Sequence, residues 1–250
     1  IYQCDWSSDV CSSDLMSERP KGEKTIGVIG GMGPQATVDF MQRLVAGTPA
    51  RDDADHLHVL VDNNPKIPSR IAALIDGTGQ DPTPVLCAMA EGLQAKGADF
   101  LVMPCNTAHF YLPAIARSVR IPVLDMVQLA IAKLIRAQGR RVGILASPAV
   151  RMVGLYKARM EEAGLEVIFP GPRDEQTLLA VIRAVKAGRL DDTQRQSYAG
   201  VAAALLEAGA DALLVACTEF SVIGAPPGIA GPVVDALDAL VEATIATARN

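Results

Sequence analysis

Aromatic residues are scarce in this chain, at 4% of the total with a single tryptophan. A core built without them must be aliphatic, and half of the 250 residues are apolar. That profile suits an α/β protein, whose buried parallel strands read as unbroken aliphatic runs with helices over both faces. A cationic excess is missing too. The formal net charge of −5 repels polyanions, which argues against nucleic acid or an anionic membrane surface as a partner. No apolar run reaches the roughly 20 residues that a membrane-spanning helix needs. The expectation is a soluble, cytoplasmic protein.

Histidines number three and cysteines five, and no His/Cys/Asp spacing resembles a metal site. Two of the cysteines, Cys4 and Cys11, lie in residues 1–15, a Ser- and Asp-rich stretch that also holds the tryptophan. It has neither the basic nor the apolar region of a secretory signal. Met16 follows, and 1–15 reads as an extraneous, disordered leader ahead of the natural start. Cys87, Cys105 and Cys217 remain, and an odd number argues against a disulfide framework.

From residue 24 onward, strand and helix patterns alternate. Strands are expected over 25–29, 57–61, 100–103, 123–124, 141–145, 166–169 and 212–215. Helices are expected from Pro34 onward and over 84–96, 126–137, 150–163, 175–187 and 193–208, with an irregular stretch through Asn63-Asn64-Pro65. This alternation implies parallel sheets flanked by helices. An internal repeat divides them. Gly97-Ala98-Asp99 leads to Cys105 as Gly209-Ala210-Asp211 leads to Cys217, with eight positions from glycine to cysteine in both. Ile26-Gly27-Val28-Ile29 matches Val142-Gly143-Ile144-Leu145, and Pro122-Val123-Leu124-Asp125 matches Pro232-Val233-Val234-Asp235. The same order at similar spacing predicts two similar lobes related by a pseudo-twofold, 24–125 and 126–234, with a C-terminal helix over 235–250 packing back on the first lobe.

In open parallel sheets, ligands bind beyond the carboxyl ends of the strands. Cys105 and Cys217 each follow such an end, so facing lobes would put both thiols in one cleft. Two opposed groups of the same kind suit a reaction whose directions are mirror images, one removing a proton and the other delivering one to the opposite face. The thiolate is the active form, with an ordinary pKa near about 8.5 that a helix N-terminus or a cation lowers. Buried cysteines are usually inert. Matched positions in a repeat, each followed by polar residues, favour the chemical reading here, whereas Cys87 lies inside a helical pattern and reads as core. Gly27, Gly30, Gly31 and Gly33 do not fit the dinucleotide fingerprint. His109 reads as a capping or packing residue, and His56 and His58 as solvated.

Gly30-Gly31-Met32-Gly33-Pro34 after a strand, Pro104-Cys105-Asn106-Thr107-Ala108-His109, and Cys217-Thr218-Glu219 together resemble the aspartate/glutamate racemase family, nearest to its aspartate-racemase branch. The resemblance implies racemisation without pyridoxal or any other cofactor, in a cleft between two lobes, in a homodimer acting on a small amino-acid substrate. By similarity Cys105 and Cys217 are the acid/base pair, and Asn106, Thr107 and Thr218 hold the ends of the amino acid. Arg70 would clamp a distal carboxylate, since a guanidinium grips a carboxylate bidentately. Lys186 would supply a second cation, Met32 would line the pocket floor, and Glu219 would orient Thr218 or contact the amino group. Where the family often carries Thr and Ser, this chain has Val150 and Val153, which removes one substrate hydrogen bond, and Ser69 stands where an Asp often precedes the arginine. Aspartate is the first expected substrate and glutamate the next. A related decarboxylase or cis–trans isomerase, and a two-lobed amino-acid sensor without catalysis, are the other readings.

Overall fold

The computed structural model describes residues 22–229 and 231–250, and the leader set apart above lies outside them. The first half builds β1 (Ile26–Gly30), α1 (Pro34–Gly47), β2 (Val59–Asn63), α2 (Arg70–Leu74), α3 (Thr83–Ala95), β3 (Phe100–Val102), α4 (Leu112–Ser118) and α5 (Met126–Arg136). The second builds β4 (Arg141–Leu145), α6 (Pro148–Met152), α7 (Lys157–Glu162), β5 (Glu166–Ile168), α8 (Pro172–Lys186), α9 (Asp192–Glu207), β6 (Ala212–Val215), α10 (Thr218–Ile223), β7 (Val233–Asp235) and α11 (Ala236–Ala248). Among the described residues no helix is long and apolar enough to cross a membrane.

Two parallel sheets result, ordered β2-β1-β3 and β5-β4-β6-β7. The fold is α/β, with two parallel sheets flanked by helices. The expected strand over 123–124 shrinks to one parallel bridge, Leu101 to Val123. That bridge occupies the place in the first sheet that Leu213 and Val233 occupy in the second.

Side-chain contacts explain the repeat. A Cβ on Gly27 would stand 2.5 Å from Leu101 and 2.9 Å from Ala98, and one on Gly143 2.8 Å from Leu213 and 3.2 Å from Ala210. Each glycine lets a strand approach its neighbour at the same point of the pattern. The aspartates of the two Gly-Ala-Asp turns also match. Asp99 accepts from the Thr25 N–H at 2.6 Å, and Asp211 from the Arg141 N–H at 3.0 Å.

Alternate residues of each strand enter different cores, as the two-residue period requires. Val28, Val102, Ile144 and Leu214 join one cluster with α5 and α11 that spans both sheets. Leu101 and Met103 face a second cluster under α3, and Leu213 and Val215 a third under α8 and α9. Helix α11 packs on α1 and α5. Asp125 and Asp235 cap α5 and α11 by accepting backbone N–H groups, an arrangement that satisfies otherwise orphaned donors.

Two expectations are corrected. The helix expected over 150–163 is split into α6 and α7, because Gly154 adopts a left-handed φ of +65° between them; such a residue ends a helix rather than continuing it. The irregular stretch after Pro65 contains α2, whose cap is Ser69, with Oγ accepting from the Ala72 N–H at 3.2 Å.

Candidate active site

Cys105 follows β3 by three residues and Cys217 follows β6 by two, at the carboxyl ends of equivalent strands. Both are buried, at 7% and 6% exposure, and both line one cavity of about 630 Å³. Its walls come from the Gly-rich turn after β1 and the Pro65–Ile71 region on one side. The end of α8, Ser147 and the start of α10 form the other. The site therefore lies between the two halves.

The turn carrying Cys105 is held from below by His109. The Nε2 of this buried imidazole accepts the Met126 N–H at 3.1 Å, so Nδ1 carries the proton and donates to the Cys105 carbonyl at 2.9 Å. Burial pulls the His109 pKa below its ordinary value, which keeps the ring neutral. His109, read from the sequence as a capping or packing residue, leaves its own helix start uncapped and instead accepts the first N–H of α5. Beside it, the Tyr156 hydroxyl donates to Asn106 Oδ1 at 2.5 Å, and Thr107 Oγ1 lies 3.2 Å from Ser147 Oγ.

The two thiols differ in their surroundings. Burial pushes Cys105 up from its ordinary pKa, while the Arg70 guanidinium and the Ala108 N–H pull it back. Burial also pushes Cys217 up, and the Glu219 carboxylate drives it further, so that it lies well above its usual range. The Cys217 Sγ donates to Glu219 Oε2 at 3.1 Å. The other carboxylate oxygen of Glu219 pairs with Lys186 Nζ. Burial works against the Lys186 charge, but Glu219 and the nearby sulfurs outweigh it and raise the Lys186 pKa.

Of the residues singled out in the sequence, Met32, Arg70, Thr107, Lys186 and Glu219 line the cavity with both cysteines. Arg70 Nη1 donates to the Pro68 carbonyl at 2.8 Å, which fixes the guanidinium against its own loop. Asn106 and Thr218 are buried and stand behind the lining rather than in it. The Asn106 amide nitrogen is buried and has no hydrogen-bond partner among the described residues. Glu219 is engaged by Cys217 and Lys186, not by Thr218. The close fit of the Gly-rich turn follows from Gly31, where a Cβ would collide with the Asn64 backbone at 2.2 Å. Ser147 and Tyr156 were not anticipated. Ser147 stands after β4 where Gly31 stands after β1, so the repeat carried a signal for it; nothing in the spacing marked Tyr156. Val150 is fully buried in the core that spans both sheets.

Comparison with known proteins agrees with this architecture. Residues 29–244 match the model of the family described as Asp/Glu/Hydantoin racemase. The broad-specificity amino-acid racemase RacX of Bacillus subtilis is 25% identical over 89% of this chain and 97% of its own. An aspartate racemase of Picrophilus torridus is similar in structure, with a TM-score of 0.78 and 29% identity over 90% of this chain and 94% of that one. A Francisella tularensis glutamate racemase in complex with D-glutamate shares the fold at a TM-score of 0.61 and 15% identity, covering 90% and 81% of the two chains. With two matched half-sheets, one cavity between them and a family match across most of its length, the chain belongs to the Asp/Glu/hydantoin racemase family and is an amino-acid racemase.

Proposed function

We propose that the protein inverts the α-carbon of an acidic amino acid, aspartate first and glutamate next, by a two-cysteine mechanism that needs no cofactor. The observation that carries this reading is that Cys105 and Cys217, matched residues of an internal repeat, line the same cavity. One sulfur, as thiolate, takes the α-proton; the other, as thiol, gives its proton to the opposite face of the carbanion. Arg70 and Lys186 lie in the same cavity and supply positive charge for carboxylates and for the enolate-like charge that develops between the two steps. The Asn106 amide nitrogen, without a hydrogen-bond partner among the described residues, lies behind the cavity wall, so it would reach a substrate carboxylate only if the turn at Cys105 opened toward it.

The test is incubation of each enantiomer of aspartate, glutamate and several neutral amino acids in heavy water. Deuterium should enter the α-position together with inversion, fastest for aspartate. Single replacement of Cys105 or Cys217 by serine should each reduce kcat/KM by about 10²–10⁴-fold, the range for loss of one general acid or base. Substrate binding without deuterium uptake would defeat the reading in favour of a sensor. Loss of activity with only one of the two variants would defeat it in favour of one-thiol chemistry.

A further inference from the structure

We infer that Glu219 is a positioning residue that keeps the resting proton on Cys217, so that the two halves of a symmetric reaction start from an asymmetric enzyme. The geometry is one-sided. Cys217 Sγ donates to a carboxylate oxygen at 3.1 Å, while Cys105 has no carboxylate in hydrogen-bond contact among the described residues. Glu219 is itself only 6% exposed and is anchored by Lys186, so its acceptor oxygen is held in place rather than waving in solvent. A fixed anion beside a thiol favours the protonated form, and a cation beside a thiol favours the thiolate.

The charged and titratable groups around the two sulfurs divide accordingly. Cys217 feels Glu219 on its own helix, Lys186 from the end of α8, and the buried phenols of Tyr156 and Tyr198, which burial keeps neutral. Cys105 feels Arg70 from α2 most strongly, then Glu219 and Lys186 at longer range, and receives the Ala108 N–H. Cys105 is thus the sulfur that gives up its proton more readily and acts first as base, and Cys217 the one that keeps its proton and acts first as acid. In the first half-reaction the α-proton moves to the Cys105 sulfur and the Cys217 proton moves to the opposite face of the carbon. Glu219 then faces a thiolate, and its carboxylate repels that charge until the proton is restored. The free enantiomers have an equilibrium constant of unity, so kcat/KM must match in the two directions. The asymmetry appears as kcat and KM scaled together.

This inference rests on the two-cysteine reading for its catalytic meaning, but its test reads the proton without turnover. The intact protein is alkylated with iodoacetamide across a pH series, and the modification of each cysteine is followed by mass spectrometry. Cys105 should react with a lower midpoint pH than Cys217. Glu219→Gln should bring the Cys217 midpoint down by about one unit or more, an increase in rate of about tenfold below the midpoint, with a smaller change at Cys105. Lys186→Gln should move the Cys217 midpoint the other way, because the thiol loses a nearby cation and the carboxylate its counter-ion. Mere disruption of packing would shift both variants in the same direction. Equal midpoints in the unmodified protein, or shifts of the same sign in the two variants, overturn the assignment. Should Glu219→Gln fail to fold, Glu219→Asp, which draws the carboxylate back from the sulfur, should lower the Cys217 midpoint, and an unchanged midpoint overturns the assignment too.

Discussion

At the scale of single residues, His109 shows how a buried ring can hold a turn beside a cavity that it does not itself line. Its neutral ring links the Cys105 carbonyl to the N–H of Met126, joining the turn that carries Cys105 to the first residue of α5. The native pKa lies below the ordinary value of 6.5, whereas the unfolded chain protonates at the ordinary value. Between the two, the unfolded state binds more protons, so stability is full above pH about 6.5 and declines as pH falls toward the native value. Urea denaturation at a series of pH values should show this decline, and His109→Asn, neutral throughout, should lose that part of it. An unchanged pH profile in the variant would remove His109 from the account. The cysteines themselves were legible because the repeat set them at matched places. Tyr156 was not, since its partner Asn106 is 50 residues away and neither the pattern nor the spacing joins them. The Lys186–Glu219 pair was legible only as two separate candidates. That Glu219 contacts both a sulfur and Lys186 depends on side-chain placement, about which spacing is silent.

At the scale of elements, the strands over 141–145 and 212–215 coincide with β4 and β6, because continuous aliphatic runs bounded by turns are unambiguous. The segment over 150–163 misled for a physical reason: its apolar spacing continues through Gly154, and only the backbone conformation there reveals the break. The same is true of α2, five residues too short to display a period. Gly27 and Gly143 offer a sharper test of the repeat than any boundary. An added methyl meets a leucine and an alanine at equivalent positions in each half. Gly27→Ala and Gly143→Ala should each cost about 1–3 kcal/mol by overpacking, which thermal melts would register as a drop of about 2–4 °C per kcal/mol. If one variant proved neutral while the other was severe, the two contacts would not be equivalent.

Across the whole molecule, the repeat extends to the ties between the halves. Arg43 on α1 reaches Asp235 at the end of β7 at 2.8 Å, and Arg159 on α7 reaches Asp125 at the start of α5 at 2.6 Å. Each arginine belongs to one half and grips the capping aspartate that closes the other's pattern, so two crossed pairs tie the halves together. They are unequal in depth. The Asp235 side chain is 15% exposed and that of Asp125 26%, and Arg43 also binds Asp39, Asp238 and the Ser221 carbonyl. Burial pushes the Asp235 carboxyl up, against the pull of the Ser221 hydroxyl and Arg43. Removing Arg43 therefore leaves a buried carboxylate short of its cation, at a cost of about 1.5–3 kcal/mol for a hydrogen bond to a charged group. Arg159→Ala, at a wetter pair, should cost less, in keeping with the small worth of exposed ion pairs. Both variants should still unfold in one transition, because the core containing Val28, Ile144, Val127 and Leu240 is shared by the two halves. Calorimetry distinguishes the outcomes. Two resolved transitions in Arg43→Ala would mean that the halves are joined by their ion pairs rather than by their common core, and a larger loss in Arg159→Ala would mean that depth of burial does not set the worth of the two pairs.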